Sequence, residues 1–186
     1  GTLTWGSLQH GNSESLVELA AGGARPTILF TCGDDWPGVD DSCESNGLFF
    51  DRKGNLIACA DEKNQLWQID VKTKKATVLA KDYQGKLLNG PNDVWVRPDL
   101  GLYFTDPFYK RPWWDYDKPP QGTEQVYFLS ADRKTLKRVT TDLIQPNGII
   151  GTPDGKTLFV ADIKAGKTYA YDIQADGALA NKRLHC

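Results

Sequence analysis

The sequence predicts an all-β protein of the β-propeller class. Two observations predict it: one strand pattern recurs three times along the chain, and each reversal carries turn chemistry. The segments 46–61, 92–106 and 147–162 line up. Each opens on Asn (Asn46, Asn92, Asn147), runs through an apolar strand, turns, and returns on a second apolar strand ending in Asp (Asp61, Asp106, Asp162). Asp, Pro and Gly fill the turns 51–54, 98–101 and 153–155, where a tight reversal needs them.

Taken in order, residues 1–44 fit the repeat poorly and are expected to form an N-terminal blade or partial blade, with strands at 2–8, 15–20 and 27–31. Helical character over 13–21 is ended by Gly22 and Gly23. Three blades are expected after it, at 45–90, 91–145 and 146–186. Each hairpin is followed by a third strand (65–70, 125–130, 168–173) and a fourth (76–80, 136–140, 178–184). Four strands per unit is the propeller blade pattern. Asn46 and Asn92 are 46 positions apart, the length of one blade. Asn92 and Asn147 are 55 apart, because a loop rich in Pro, Trp, Asp and Tyr occupies 110–122. So few blades leave sheet faces open, so the chain is expected to be a fragment or to share its ring with a second copy.

Composition narrows the partners. Of 186 residues, 40% are hydrophobic and 25% charged, with a net charge of -2. No broad basic face is expected, so nucleic acid and anionic membrane are not expected partners. The apolar runs are too short to span a bilayer. The protein is expected to be soluble, either periplasmic or secreted, or cytoplasmic. Residues 1–6 have neither the basic start nor the apolar stretch of an export signal, and a processed signal would leave the same picture. Among four cysteines, Cys59 lies in an apolar strand and reads as a small buried hydrophobe. Cys32 and Cys43 flank a Gly/Asp/Pro-rich loop and could be bridged in an oxidising compartment. There is no CxxC pair, no GxSxG and no GxGxxG. The run 151–157 imitates a phosphate loop but is one residue short and sits in a hairpin. His10 and His185 stand near the chain ends, too few for a His-centred triad or zinc site.

The repeated Asn is the main functional clue. In a propeller the residue before each innermost strand points toward the central channel. Asn46, Asn92 and Asn147 would then aim amide oxygens at a shared axis, a donor set suited to a hard cation. The alternative is that each caps a turn. Asp61 and Asp162 read as acceptors for backbone N–H groups of a neighbouring turn. Asp106 stands apart because it leads through Pro107 and Phe108 to Tyr109 and the aromatic loop. Trp113, Trp114 and Tyr116 either line a pocket or fold onto their own apolar neighbours.

The motifs LNGPNDVWV at 88–96, LYFTDPFY at 102–109, SNGLFFDRKGNLIAC at 45–59, QPNGII at 145–150 and TLFVAD at 157–162 resemble those of the SMP-30/gluconolactonase/regucalcin-like family, over roughly residues 44–180. The resemblance implies a six-bladed propeller that hydrolyses a sugar lactone with one divalent cation in its channel. Ca²⁺ is expected, with Zn²⁺, Mn²⁺ or Mg²⁺ as alternatives. It places Asn147 on the metal and Asn92 beside metal and substrate. Asn46, Asn92, Asp106 and Tyr109 are expected to face the substrate, and Asp93 to be the motif-borne catalytic carboxylate or a structural one. The family's early Glu motif has no counterpart in residues 1–44, and its later metal-binding Asp would fall beyond Cys186. Two rival readings are a non-catalytic binding propeller and a propeller hydrolase acting on phosphoesters or other lactones.

Overall fold

The structure, a computed structural model, describes residues 4–10, 13–19, 27–31 and 45–186, with side chains from residue 45 onward except Glu62. The described residues are all β apart from a single 3₁₀ turn at Asp61–Lys63. Strands β1 (Thr4–His10), β2 (Ser13–Leu19) and β3 (Thr27–Thr31) pair antiparallel in one sheet. Ser13–Leu19 of the segment with helical character is therefore strand. It forms a ladder with β1, where Ser13 faces His10 and Leu19 faces Thr4. The Cys32–Cys43 pairing lies outside the described residues.

Three four-stranded antiparallel sheets follow, each in sequential order. The first blade holds β4 (Leu48–Phe50), β5 (Asn55–Ala60), β6 (Gln65–Asp70) and β7 (Lys75–Ala80). A two-stranded hairpin, β8 (Asp82–Tyr83) and β9 (Lys86–Leu87), leads on to the second blade. That blade holds β10 (Val94–Val96), β11 (Leu102–Asp106), β12 (Gln125–Leu129) and β13 (Leu136–Arg138). The third holds β14 (Pro146–Gly151), β15 (Thr157–Asp162), β16 (Lys167–Ile173) and β17 (Leu179–Leu184). Turn residues close the hairpins as the sequence requires. Asp51 Oδ1 accepts the N–H groups of Lys53 (2.8 Å) and Asn55 (2.9 Å), and Gly54 takes φ 81°.

The blades stack through strand alternation. Along β11, Leu102 and Phe104 join a cluster with Ile57, Cys59 and Leu66 of the first blade. The residue between them, Tyr103, joins Ile149, Leu158, Val160 and Tyr171 of the third. Successive side chains point to opposite faces, so one strand supplies both interfaces. Fully burying such side chains contributes about 1.5–3 kcal/mol each. Cys59 packs in this core, and burial pushes its thiol pKa up. The first strand β10 touches both β4 and β14 across the blades, so these first strands are the innermost. The fourth strands are the most exposed. Among the described residues no helix is long and apolar enough to cross a membrane.

Candidate functional site

The lead-ins to the innermost strands are tied into one seam. Gly47 N–H donates to Asn92 O at 2.6 Å, linking the first blade to the second. Thr105 Oγ1 accepts the Asp93 N–H (3.1 Å) and donates to Asn147 O at 2.6 Å, linking the second to the third. Asp93 completes the seam: Oδ1 accepts from Val94 N–H and Oδ2 from Ile149 N–H, both at 2.9 Å. Gly47 is needed here, since a Cβ would fall against Asp93 and lie 2.8 Å from Asn92 O. The seam brings Asn46, Asn92 and Asn147 to neighbouring positions on three blades.

Their side chains differ. Asn46 is exposed. Asn92 is only 6% exposed, yet its amide has no hydrogen-bond partner among the described residues. Neither of its amide atoms is fully buried, so the group remains open to solvent or a ligand. Asn147 is half-buried, and its Nδ2 donates to Tyr109 Oη at 2.9 Å. Two expected site residues are thus in direct contact. Its Oδ1 has no partner among the described residues. Two amide oxygens fit a hard cation in kind, though they are fewer than the six to eight oxygens that Ca²⁺ takes. No group of three or more His, Cys, Asp or Glu able to hold a metal occurs among the described residues.

Asp93 and Asp106 have other partners than a substrate. Burial pushes the Asp93 carboxyl above its usual range, against the pull of the Ile149 and Val94 N–H groups. Both of its oxygens hold backbone. Asp106 has no exposed surface, and its oxygens accept from Asn89 N–H and Gly90 N–H at 2.9 Å each. It lies beneath the lead-in of its blade rather than at an open surface. Burial raises its pKa to about 7, with a further push from Glu124. In the third blade Asp162 holds the corresponding lead-in, accepting the backbone N–H groups of Ile144 (2.8 Å) and Gln145 (2.9 Å).

The loop between β11 and β12 reaches across the second blade to both neighbours. On one side Tyr109 meets Asn147. On the other, Arg111 pairs with Asp61, and Tyr116 Oη accepts from Asn64 Nδ2 at 3.1 Å. Gln121 Nε2 donates to Lys86 O (2.7 Å) and Leu87 O (2.9 Å). Trp114 stacks on Tyr116 (5.1 Å) and on Phe108 (5.8 Å), so the loop does fold onto its own aromatics. Trp113 stays 59% exposed. Sequence reading missed Thr105 and Arg111. Thr105 had a signal: the other repeats carry Ala at that position, Ala60 and Ala161.

A family model described as the SMP-30/Gluconolactonase/LRE-like region matches residues 32–186. A gluconolactonase of Zymomonas mobilis is 27% identical over 143 residues, covering 75% of this chain and 40% of that protein. A solved gluconolactonase of Xanthomonas campestris superposes with a TM-score of 0.72 at 28% identity, covering 91% of this chain and 58% of that one. The diisopropyl-fluorophosphatase of Loligo vulgaris is 27% identical over 143 residues, 74% of this chain and 45% of that protein. The chain therefore spans about half the length of these relatives.

Proposed function

The chain belongs to the SMP-30/Gluconolactonase/LRE-like family, and on that premise we propose that the protein hydrolyses a lactone at the mouth of the propeller channel, with a divalent cation held in part by Asn92 and Asn147. The observation that carries this reading is that the Asn92 amide and the Asn147 Oδ1, on adjoining blades tied together by the seam, have no hydrogen-bond partner among the described residues and are not sealed off from solvent. Asn147 stands on β14, and Asn92, two residues before β10, is held by its backbone bonds to Thr105 and Gly47, so both donors are anchored as a binding constellation requires. Ca²⁺ is the cation that neutral amide oxygens suit best. When bound, such an ion polarises a carbonyl and acidifies a water.

The chain's own residues supply position. Thr105 and Asp93 set the spacing of the second and third inner strands, and so of Asn92 and Asn147. We assign Asp93 this positioning role rather than proton transfer, because both its oxygens are held by backbone donors. The aromatic loop is tied to both neighbouring blades, to Asn147 on one side and to Asp61 and Asn64 on the other. Asn147→Ala is expected to lower cation-dependent lactone hydrolysis by more than about 100-fold, beyond the loss that an outer partner's removal brings. The thermal midpoint without cation should stay near that of the wild type. Unchanged hydrolysis in this variant removes the reading.

The similarity to the squid phosphatase favours a second reading, hydrolysis of a phosphoester at the same place. Initial rates on a panel of aldonolactones and phosphotriesters separate the two.

A further inference from the structure

The segment that leads from β9 into the second blade ends at Asn92, and its carbonyls are held by side-chain amides from elsewhere. Gln121 Nε2, on the aromatic loop, donates to Lys86 O (2.7 Å) and Leu87 O (2.9 Å). Asn64 Nδ2, from the first blade, donates to Leu88 O (2.9 Å) and Asn89 O (3.0 Å).

Asn89 returns the grip. It has no exposed surface. Its Nδ2 donates to Asp106 O and Thr123 O at 2.9 Å each, and its Oδ1 accepts from Gln121 N–H at 3.1 Å. Asp106 and Thr123 are the two roots of the aromatic loop, and Gln121 lies on its returning arm. The orientation of this amide is fixed. A backbone carbonyl only accepts and a backbone N–H only donates, so turning the amide over would break all three bonds. Lead-in and loop therefore hold each other's backbone in both directions. Separating them would strand buried donors and acceptors on both sides.

We propose that Asn89 is a positioning residue that couples the aromatic loop to the lead-in carrying Asn92, so that the two open as one unit. Its bearing on function rests on the reading of Asn92 as a cation-holding residue, whereas the coupling does not.

Native-state hydrogen exchange of the cation-free protein at rising urea tests the coupling. The loop reporters are the N–H groups of Phe108, Trp114 and Gly122, bonded to Glu124 Oε2, Arg111 O and Pro119 O and not to Asn89. The lead-in reporters are those of Gly90 and Asn92, bonded to Asp106 Oδ1 and Thr105 O. Below the unfolding midpoint both sets should merge into one opening with a common urea dependence. Loop amides that keep a separate, smaller opening overturn the proposal. Asn89→Ala should speed exchange at the loop reporters about 10-fold or more relative to Asn92 N–H, the factor that one lost buried hydrogen bond brings. Equal acceleration of both sets would mean a general loss of stability and overturn it as well. If this variant does not fold, the wild-type urea series decides.

A ligand that stabilises one part of a coupled unit stabilises the rest. Saturating Ca²⁺ should therefore slow both sets in the wild type, but only the lead-in set in Asn89→Ala. Loop reporters slowed equally in both proteins overturn Asn89 as the link. Ca²⁺ that moves no amide of the wild type removes the cation reading, and the urea series still decides the coupling.

Discussion

The second and third blades solve one problem with the same device in different surroundings. Each must hold the segment that leads into its innermost strand, and each does so with the Asp that ends its second strand. Asp106 accepts two consecutive backbone N–H groups, from Asn89 and Gly90, and Asp162 accepts two, from Ile144 and Gln145. The second blade is covered on both faces, so Asp106 works without solvent. The third blade buries one face against the second, while Ile144 (55%), Ile150 (56%) and Ile163 (48%) remain exposed. The repeated motif therefore fixes geometry in both of these blades, but its energetic weight is set by what covers it.

The largest test of that contrast uses two glycines of the third blade. Gly177 takes φ 83° where the blade meets the second one, an added Cβ would strike the Phe128 ring, and Tyr103 Oη donates to its carbonyl at 2.9 Å. Gly166 takes φ 62° in a turn with nothing within 4 Å of an added Cβ. Gly177→Ala should lower stability by about 3–4 kcal/mol in urea unfolding, from overpacking together with left-handed strain. Gly166→Ala should cost only about 1 kcal/mol, the strain alone. Similar losses at both positions would show that the interface between blades yields as easily as an open turn.

The next effect compares the two carboxylates. Asp106→Ala strands two buried N–H groups, at about 1–3 kcal/mol each, and should cost about 3 kcal/mol. Asp162→Ala should cost about 1–2 kcal/mol, because the lead-in residue Ile144 is exposed enough for water to take over its N–H. Equal losses in urea unfolding would break the comparison.

These differences also mark what the sequence made legible. Period-two alternation and turn residues located the strands closely: 65–70 was expected and Gln65–Asp70 is found. Expected strand 136–140 ends at Arg138 in the structure, because the Thr140 hydroxyl accepts the Val126 N–H and takes the ladder over to a side chain. The hairpin of β8 and β9 went unseen, since two residues per strand carry no alternation. Its Gln84-Gly85 turn, with φ 54° and 75°, was the readable sign. At the candidate site, the repeat marked Asn46, Asn92 and Asn147. It did not mark what holds them, because Tyr109–Asn147 and Asp93–Ile149 are contacts between blades, 38 and 56 positions apart in the chain. Asp106 drew attention through its unusual sequel, and its complete burial had no sequence signal.

The smallest expected effect asks whether the cover over the second blade is also felt as charge. Burial, with Glu124 adding to it, lifts the Asp106 carboxyl from 3.8 to about 7, although the Asn89 and Gly90 N–H groups pull the other way. A carboxyl raised in the folded state binds its proton more tightly there than in the unfolded chain. Its stabilising contribution is therefore complete below the unfolded value of 3.8 and is lost as pH rises through about 7. Between about pH 8 and about pH 6 the wild type should gain stability on acidification. Asp106→Asn cannot titrate, so it should lose this part of the slope even if it is less stable throughout. Urea midpoints at the two pH values measure it. A slope that survives unchanged in Asp106→Asn would place the titrating group elsewhere and leave the covered carboxylate charged across the whole range. Solvent exclusion would then separate the two blades through packing alone.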